Sequence, residues 1–244
     1  MAMPMGKGDE TVTARQLFVT GGTGYLGGAL LPVLLARGHS VRALVRPGAE
    51  RKLPAGCEAV VGNALDAATF ACRVAAADTL IHLVGVSHPA PWKEAEFRRV
   101  DLASARATIA AANAAGVRQC VYLSVAQPAP VMRSYIAVRA ECEQRFRDAG
   151  LSATFVRPWY VLGPRHRWPL LLVPLYALAE LLPASRETAR RLGLVTLRQM
   201  VAALVWAVEH PAAGTRILAV DDIRAGGRTA ASTVPAAAEG AHSG

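Results

Sequence analysis

Short apolar runs alternate with stretches of helical spacing along most of this chain. Leu17, Phe18 and Val19 form the first run, and Leu26, Leu30, Leu31, Leu34 and Leu35 follow at helical intervals. The same alternation predicts strands over 15–19, 40–45, 58–61, 79–84, 118–123 and 152–157, with a late one near 216–220. It predicts helices over 25–37, 65–76, 93–115, 133–149, 168–182 and 196–209. Buried β-branched runs separated by helices favour a parallel sheet covered on both faces, so the expected class is α/β with a doubly wound parallel sheet. Residues 15–222 would form this single domain, with 161–215 as a small C-terminal helical cap carrying substrate specificity. Residues 1–14 and the tail 223–244 read as disordered.

The connection from the first strand to the first helix carries the clearest chemistry. Gly21, Gly24 and Gly27 stand in the order G-x-x-G-x-x-G directly after the apolar run. A strand that turns through glycines into a helix brings free backbone N–H groups and the positive helix end to one point. Glycine also removes the Cβ that would block a pyrophosphate. A tight turn with no ligand is the plain alternative. The strand, turn and helix stand where the phosphate reading needs them.

Composition narrows the remaining classes. The 244 residues are 52% hydrophobic and 18% charged, which is enough apolar material for an ordered core. The net charge of +9 is spread along the chain without a compact Lys/Arg block or a zinc-finger pattern, so nucleic acid is not an expected partner. The four cysteines Cys57, Cys72, Cys120 and Cys142 form no C-x-x-C pair, which leaves both a metal site and a disulfide framework unsupported. They read as reduced thiols of a cytoplasmic protein.

Four stations in one order make the chain resemble the short-chain dehydrogenase/reductase superfamily over residues 15–222. They are Thr20-Gly21-Gly22-Thr23-Gly24-Tyr25-Leu26-Gly27, then Val60-Val61-Gly62-Asn63-Ala64-Leu65-Asp66. Next come Tyr122-Leu123-Ser124 followed by Tyr135-Ile136-Ala137-Val138-Arg139, and last Val156-Arg157-Pro158 with Gly163-Pro164. The match is to the extended and atypical NAD(P)-binding branch, which includes nitrogen-metabolite-repressor-like, isoflavone-reductase-like and complex I accessory-subunit-like proteins. The resemblance implies a Rossmann-type fold and a nicotinamide dinucleotide cofactor. That cofactor would be held by Gly21, Thr23, Gly24, Tyr25, Leu26, Arg46, Asn63, Ala64, Leu83, Val84, Gly85, Tyr135, Arg139 and Pro158.

It also implies a catalytic set, from which this chain departs. The superfamily pattern is a serine, then Tyr-x-x-x-Lys on a helix. Here Ser124 would steady the substrate oxygen and Tyr135 would transfer the proton. Arg139, in the lysine position four residues on, would bind ribose and favour the Tyr135 phenolate. Arginine does not give up its proton, so it supplies charge without relaying. Asp101 stands where related chains often carry asparagine. The expected reading is a solvent-facing residue among Arg98, Arg99 and Arg106, the alternative an inward carboxylate. Asn63 replaces the usual aspartate beside adenine and keeps both a donor and an acceptor.

The second strand ends in Arg46 with no acidic residue, which favours NADP(H) over NAD(H) through the 2′-phosphate. Arg42, earlier on that strand, would lie over the sheet. His82 reads as a packed core residue, and His88 sits on the loop where substrate enters. His166 belongs to the basic bracket around the apolar stretch 168–183, which is too short and too broken by proline to span a bilayer. Three roles compete for that stretch: a buried cap helix, the lining of an apolar substrate pocket, or peripheral docking to a membrane or a protein. The expected function is a reductase, dehydrogenase or epimerase acting on a small or apolar carbonyl or alcohol, as monomer or homodimer. The competing class is a non-catalytic NADP(H)-binding regulator, scaffold or assembly subunit.

Overall fold

The apolar run of β1 (Gln16–Thr20) is buried on both sides, with Leu17 and Val19 facing one core and Phe18 the other. That double burial is what an inner strand of a parallel sheet requires. The structure is a computed structural model that describes residues 13–164, 192–228 and 233–235. After β1 come α1 (Tyr25–Ala36), β2 (Ser40–Val45), β3 (Glu58–Val61), α2 (Ala71–Val74) and β4 (Thr79–His82). The chain continues through α3 (Glu94–Phe97), a π-type turn (Arg98–Leu102), α4 (Ala103–Ala115), β5 (Gln119–Leu123), α5 (Arg133–Asp148) and β6 (Ser152–Val156). Last come β7 (Tyr160–Leu162), β8 (Leu194–Thr196), α6 (Leu197–Glu209), β9 (Gly214–Leu218), α7 (Val220–Arg224) and β10 (Thr233–Pro235).

The main sheet runs β10-β9-β6-β5-β4-β1-β2-β3. Seven strands are parallel, and β10 joins the β9 edge antiparallel. Strand order reverses between β1 and β4, so their C-terminal ends open the crevice where such sheets take ligands. One core packs Leu30, Leu31 and Leu34 of α1 and Met200, Leu204 and Val208 of α6 on the sheet. The other packs Val74, Ala105, Val138 and Phe146 on the opposite face. Each fully buried Leu or Phe contributes roughly 1.5–3 kcal/mol of transfer free energy, and both layers are continuous along the sheet.

Several expected boundaries shift for physical reasons. The strand expected over 79–84 stops at His82, because Leu83 to Gly85 leave the ladder to pass over the glycine turn. The helix expected over 65–76 is two short pieces, a 3-10 turn at Ala67–Thr69 capped by Asp66 and then α2. A parallel pair formed by β7 and β8 was not anticipated; it links the segment after β6 to the start of α6. The tail expected from residue 223 is not found at that position: Ile223 is fully buried in α7, and β10 adds to the sheet. The expected helix 168–182, His166 and about half of the cap lie outside the described residues.

Candidate active site

The glycine turn is a backbone cradle. Gly21 has φ of +80°, and a Cβ there would press on the Leu83 carbonyl carbon at 2.9 Å. Gly27 sits where a Cβ would come within 2.5 Å of the Gly21 and Gly22 carbonyl oxygens, so the third glycine brings helix and strand together. Gly24 is the N-cap of α1, in extended backbone and without a side-chain cap, and the first helical turn carries no acidic residue. The amide end of a twelve-residue helix is thus left to an external anion. These residues fit a dinucleotide pyrophosphate. Tyr25 packs across the opening against Gly163, which has just enough room because it lacks a Cβ.

The residues expected at the adenosine end lie along the same edge. Arg46 is exposed at the end of β2, and its guanidinium has no hydrogen bond or ion pair among the described residues. Arg42 is bound elsewhere, donating to the carbonyls of Arg73 and Ala75, which removes it from the ligand as expected. Asn63 Oδ1 accepts from the Leu65 N–H at 3.0 Å, so its amide N–H groups remain available. Exposed Val61 and Leu65 flank Asn63, Ala64 lies between, and apolar surface of this kind suits the face of a base. Pro158 is buried at the other end of the crevice, its carbonyl accepting from Ala126 N–H at 2.9 Å.

The catalytic side differs from expectation in three ways. First, Asp101 does not face solvent: it is 1% exposed and forms an ion pair with Arg139 at 2.7 Å. Its other oxygen accepts from the Val86 N–H at 3.1 Å. Phe97, Asp101, Ser104, Ala105 and Thr108 share the buried face, a helical spacing legible in the sequence that puts the carboxylate inside. Second, Arg139 is itself buried, donating to the Leu123 carbonyl at 2.7 Å and the Tyr122 hydroxyl at 3.1 Å. Gly85 leaves the space that its guanidinium fills. Burial alone would favour a neutral arginine, but Tyr122, Tyr135 and Asp101 together hold it firmly charged.

The Tyr135 ring lies 5.2 Å from the Arg139 guanidinium and packs on Phe97 at 4.9 Å between ring centroids. The expected lowering of Tyr135 is reversed. Burial pushes its phenol above the ordinary value, Arg139 opposes this, and Asp101 adds to the rise. Burial likewise raises Asp101, against the pull of Arg139 and the Val86 N–H.

Third, Ser124 is buried at the end of β5 and donates to Glu143 Oε1 at 2.6 Å. Glu143, 1% exposed, also accepts from Gln127, Arg147 and Arg157, and so ties the loop after β5 to the Arg157-Pro158 segment. The serine hydroxyl is thus engaged by a carboxylate. Sequence reasoning missed Glu143, although it follows Cys142 and precedes Phe146 by one helical turn, on the edge of the buried stripe of α5.

His82 is fully buried at the end of β4 and bonded to the hydroxyls of Thr20, Ser104 and Thr108. Burial, with Arg139 nearby, pushes it down to about 3, so it is a neutral packing residue. His88 is exposed on the loop after β4 with φ of +53°. No cluster of metal-ligating side chains occurs among the described residues. No described helix is long and apolar enough to cross a membrane.

A family model described as NAD(P)H-binding matches residues 21–166, the stretch from the first glycine past the Arg-Pro segment. The chain belongs to this NAD(P)H-binding family. Relatives of this NAD(P)H-binding chain include a 4-hydroxy-2-methyl-3-oxo-4-farnesyl-3,4-dihydroquinoline-1-oxide ketoreductase of Stigmatella aurantiaca, 32% identical over 60% of the chain and 50% of the relative. A ceramide reductase of Caulobacter vibrioides is 32% identical over 86% of the chain and 66% of the relative. The chain thus spans half to about two thirds of these relatives' lengths. Among solved structures, Bordetella bronchiseptica WbmH in complex with NAD+ superposes with a TM-score of 0.64 at 19% identity, covering 85% of this chain and 76% of that one. A short-chain dehydrogenase/reductase superfamily protein of Agrobacterium tumefaciens with bound NAD gives 0.60 at 23% identity, covering 84% and 77%. These solved structures share the Rossmann-type fold of this NAD(P)H-binding chain.

Proposed function

We propose that this protein is an NADP(H)-dependent reductase that converts an apolar ketone or aldehyde to the alcohol. What supports this reading is an uncapped, acid-free helix end after the glycine turn, together with a half-buried Tyr135 whose ring lies 5.2 Å from the Arg139 guanidinium. A nicotinamide dinucleotide held by the Gly21–Gly27 turn and Arg46 would supply hydride chemistry at the carbonyl carbon. Tyr135 gives its phenolic proton to the carbonyl oxygen, so the products are the alcohol and the oxidised cofactor. Arg139 is too deeply buried to hold ribose as a lysine would, and it acts on Tyr135 from behind. Ser124 anchors the β5 loop through Glu143 and leaves proton donation to Tyr135. Arg46 meets the 2′-phosphate of NADP(H).

An apolar substrate is supported from two sides. Trp92 is 83% exposed and Val131 55% exposed, on the loops after β4 and β5 that flank the start of α5. Ser134 beside Tyr135 donates to Glu94 at 2.9 Å, which holds the Trp92 segment close to the tyrosine. The relatives named as ketoreductase and ceramide reductase also bear names of substrates with long apolar chains. Soluble protein assayed with NADPH and a panel of ketones carrying farnesyl, acyl or steroid groups tests this directly. Turnover is expected with at least one, and Tyr135→Phe is expected to lower it by about 10²–10⁴-fold. Full turnover in Tyr135→Phe would reject the assignment.

A further inference from the structure

Two buried charges sit directly behind Tyr135, and neither is shared with solvent. The side chains of Arg139 and Asp101 are 4% and 0% exposed, and they meet at 2.7 Å. Arg139 reaches inward to Asp101, Leu123 and Tyr122, and it also interacts with the Tyr135 hydroxyl beside it. Asp101 spends its second oxygen on Val86. We propose that Asp101 and Arg139 act as one neutral unit that keeps the Tyr135 phenol protonated, fitting it to give a proton to a carbonyl rather than to take one from an alcohol. This rests on Tyr135 being the proton donor.

The physical case is the balance of fields at the phenol. A lone guanidinium at this distance in a half-dry site would favour the phenolate by about one to two pH units. A carboxylate paired to that guanidinium cancels most of its field, which leaves burial to decide. Other groups facing Tyr135 are Phe97 from α3, Cys142 from α5 and, across Arg139, Tyr122 from β5. Burial pushes the Cys142 thiol up to about 11 and raises Tyr122, so both are neutral. Glu96 acts on Asp101, Glu94 is bonded to Ser134, and Glu141 is paired with Arg98 and Arg145 at the surface. Asp101 is therefore a positioning residue, acting through Arg139.

Tyrosinate absorbance near 295 nm after rapid pH jumps reads the phenol without any substrate or turnover. Spectra of each protein minus those of its Tyr135→Phe counterpart isolate the Tyr135 step from that of Tyr122. In the native chain the step is expected above the ordinary value of about 10. Asp101→Asn, which keeps a group beside the Val86 N–H, is expected to lower it by about one unit or more. The double variant Asp101→Asn/Arg139→Gln replaces a neutral pair by two neutral groups, so its step is expected within about 0.3 units of the native one. An unchanged step in Asp101→Asn would overturn the proposal. If that variant does not fold, the double variant decides, and a displacement of a full unit there would overturn it equally. Because the readout is spectroscopic, an inactive but correctly titrating protein would reject only the catalytic reading.

Discussion

The two sides of the crevice are built from different materials. On the cofactor side the determining groups are backbone: Gly21 in left-handed conformation, Gly27 against two carbonyl oxygens, and an uncapped helix end. On the catalytic side they are side chains meeting across the fold, Asp101 with Arg139 and Glu143 with Ser124 and Arg157. A backbone cradle tolerates no added atom but asks little of its neighbours' chemistry. A buried charge cluster tolerates some change of shape and almost no change of charge.

Gly27→Val breaks the cofactor side most severely. A Cβ there already falls 2.5 Å from two backbone oxygens, and backbone cannot swing aside as a side-chain tip can. The expected outcome is loss of the folded state at ordinary temperature, seen as a missing thermal transition by circular dichroism, because overpacking and β-branching act together. A folded Gly27→Val protein with native dinucleotide affinity would show that α1 and β1 have slack between them.

This contrast also explains what could be read from the sequence. Glycine spacing, apolar runs and helix starts are local, so the strand, glycine turn and helix at the start of the chain and the doubly wound class were legible at once. The catalytic pairings were harder. Arg139 and Asp101 are 38 positions apart in number, and nothing local states that they meet. The clue was that Asp101 shares a helical face with Phe97, Ser104 and Thr108, a polar group on a stripe that had to be buried. Glu143 gave a similar sign on α5 beside Val138, Cys142 and Phe146. The β7–β8 pair escaped because three-residue strands carry too little pattern.

A second prediction sharpens the contrast through pH. His82 sits under the catalytic side with its folded-state value pushed down to about 3 by burial. Because that is below the unfolded value near 6.5, the stability it confers is present above pH 6.5 and is lost as pH falls toward 3. Linkage gives a loss of about 2–3 kcal/mol by pH 4.5. His82→Gln, neutral throughout, is expected to flatten the fall in urea-denaturation free energy between pH 6 and 4 by nearly one proton. An unaltered slope would mean that His82 is reached by protons without unfolding. The glycine turn from Gly21 to Gly28 contains no histidine, so its variants should leave that slope unchanged.

The smallest effect belongs to Arg46, and it separates the two sides most cleanly. Its exposed guanidinium supports nothing else among the described residues, so Arg46→Ala is expected to leave thermal stability within about 0.5 kcal/mol of native. A charge-assisted bond to a 2′-phosphate is worth about 1.5–3 kcal/mol, so NADPH affinity should fall by about 10- to 100-fold. NADH, which lacks that phosphate, should bind the variant as it binds the native protein. Fluorescence titration of both nucleotides against both proteins measures this directly. An equal loss for the two would place Arg46 on the shared pyrophosphate instead. No loss for either would remove it from the cofactor site and leave the 2′ end to Arg51 or Lys52 in the turn that follows.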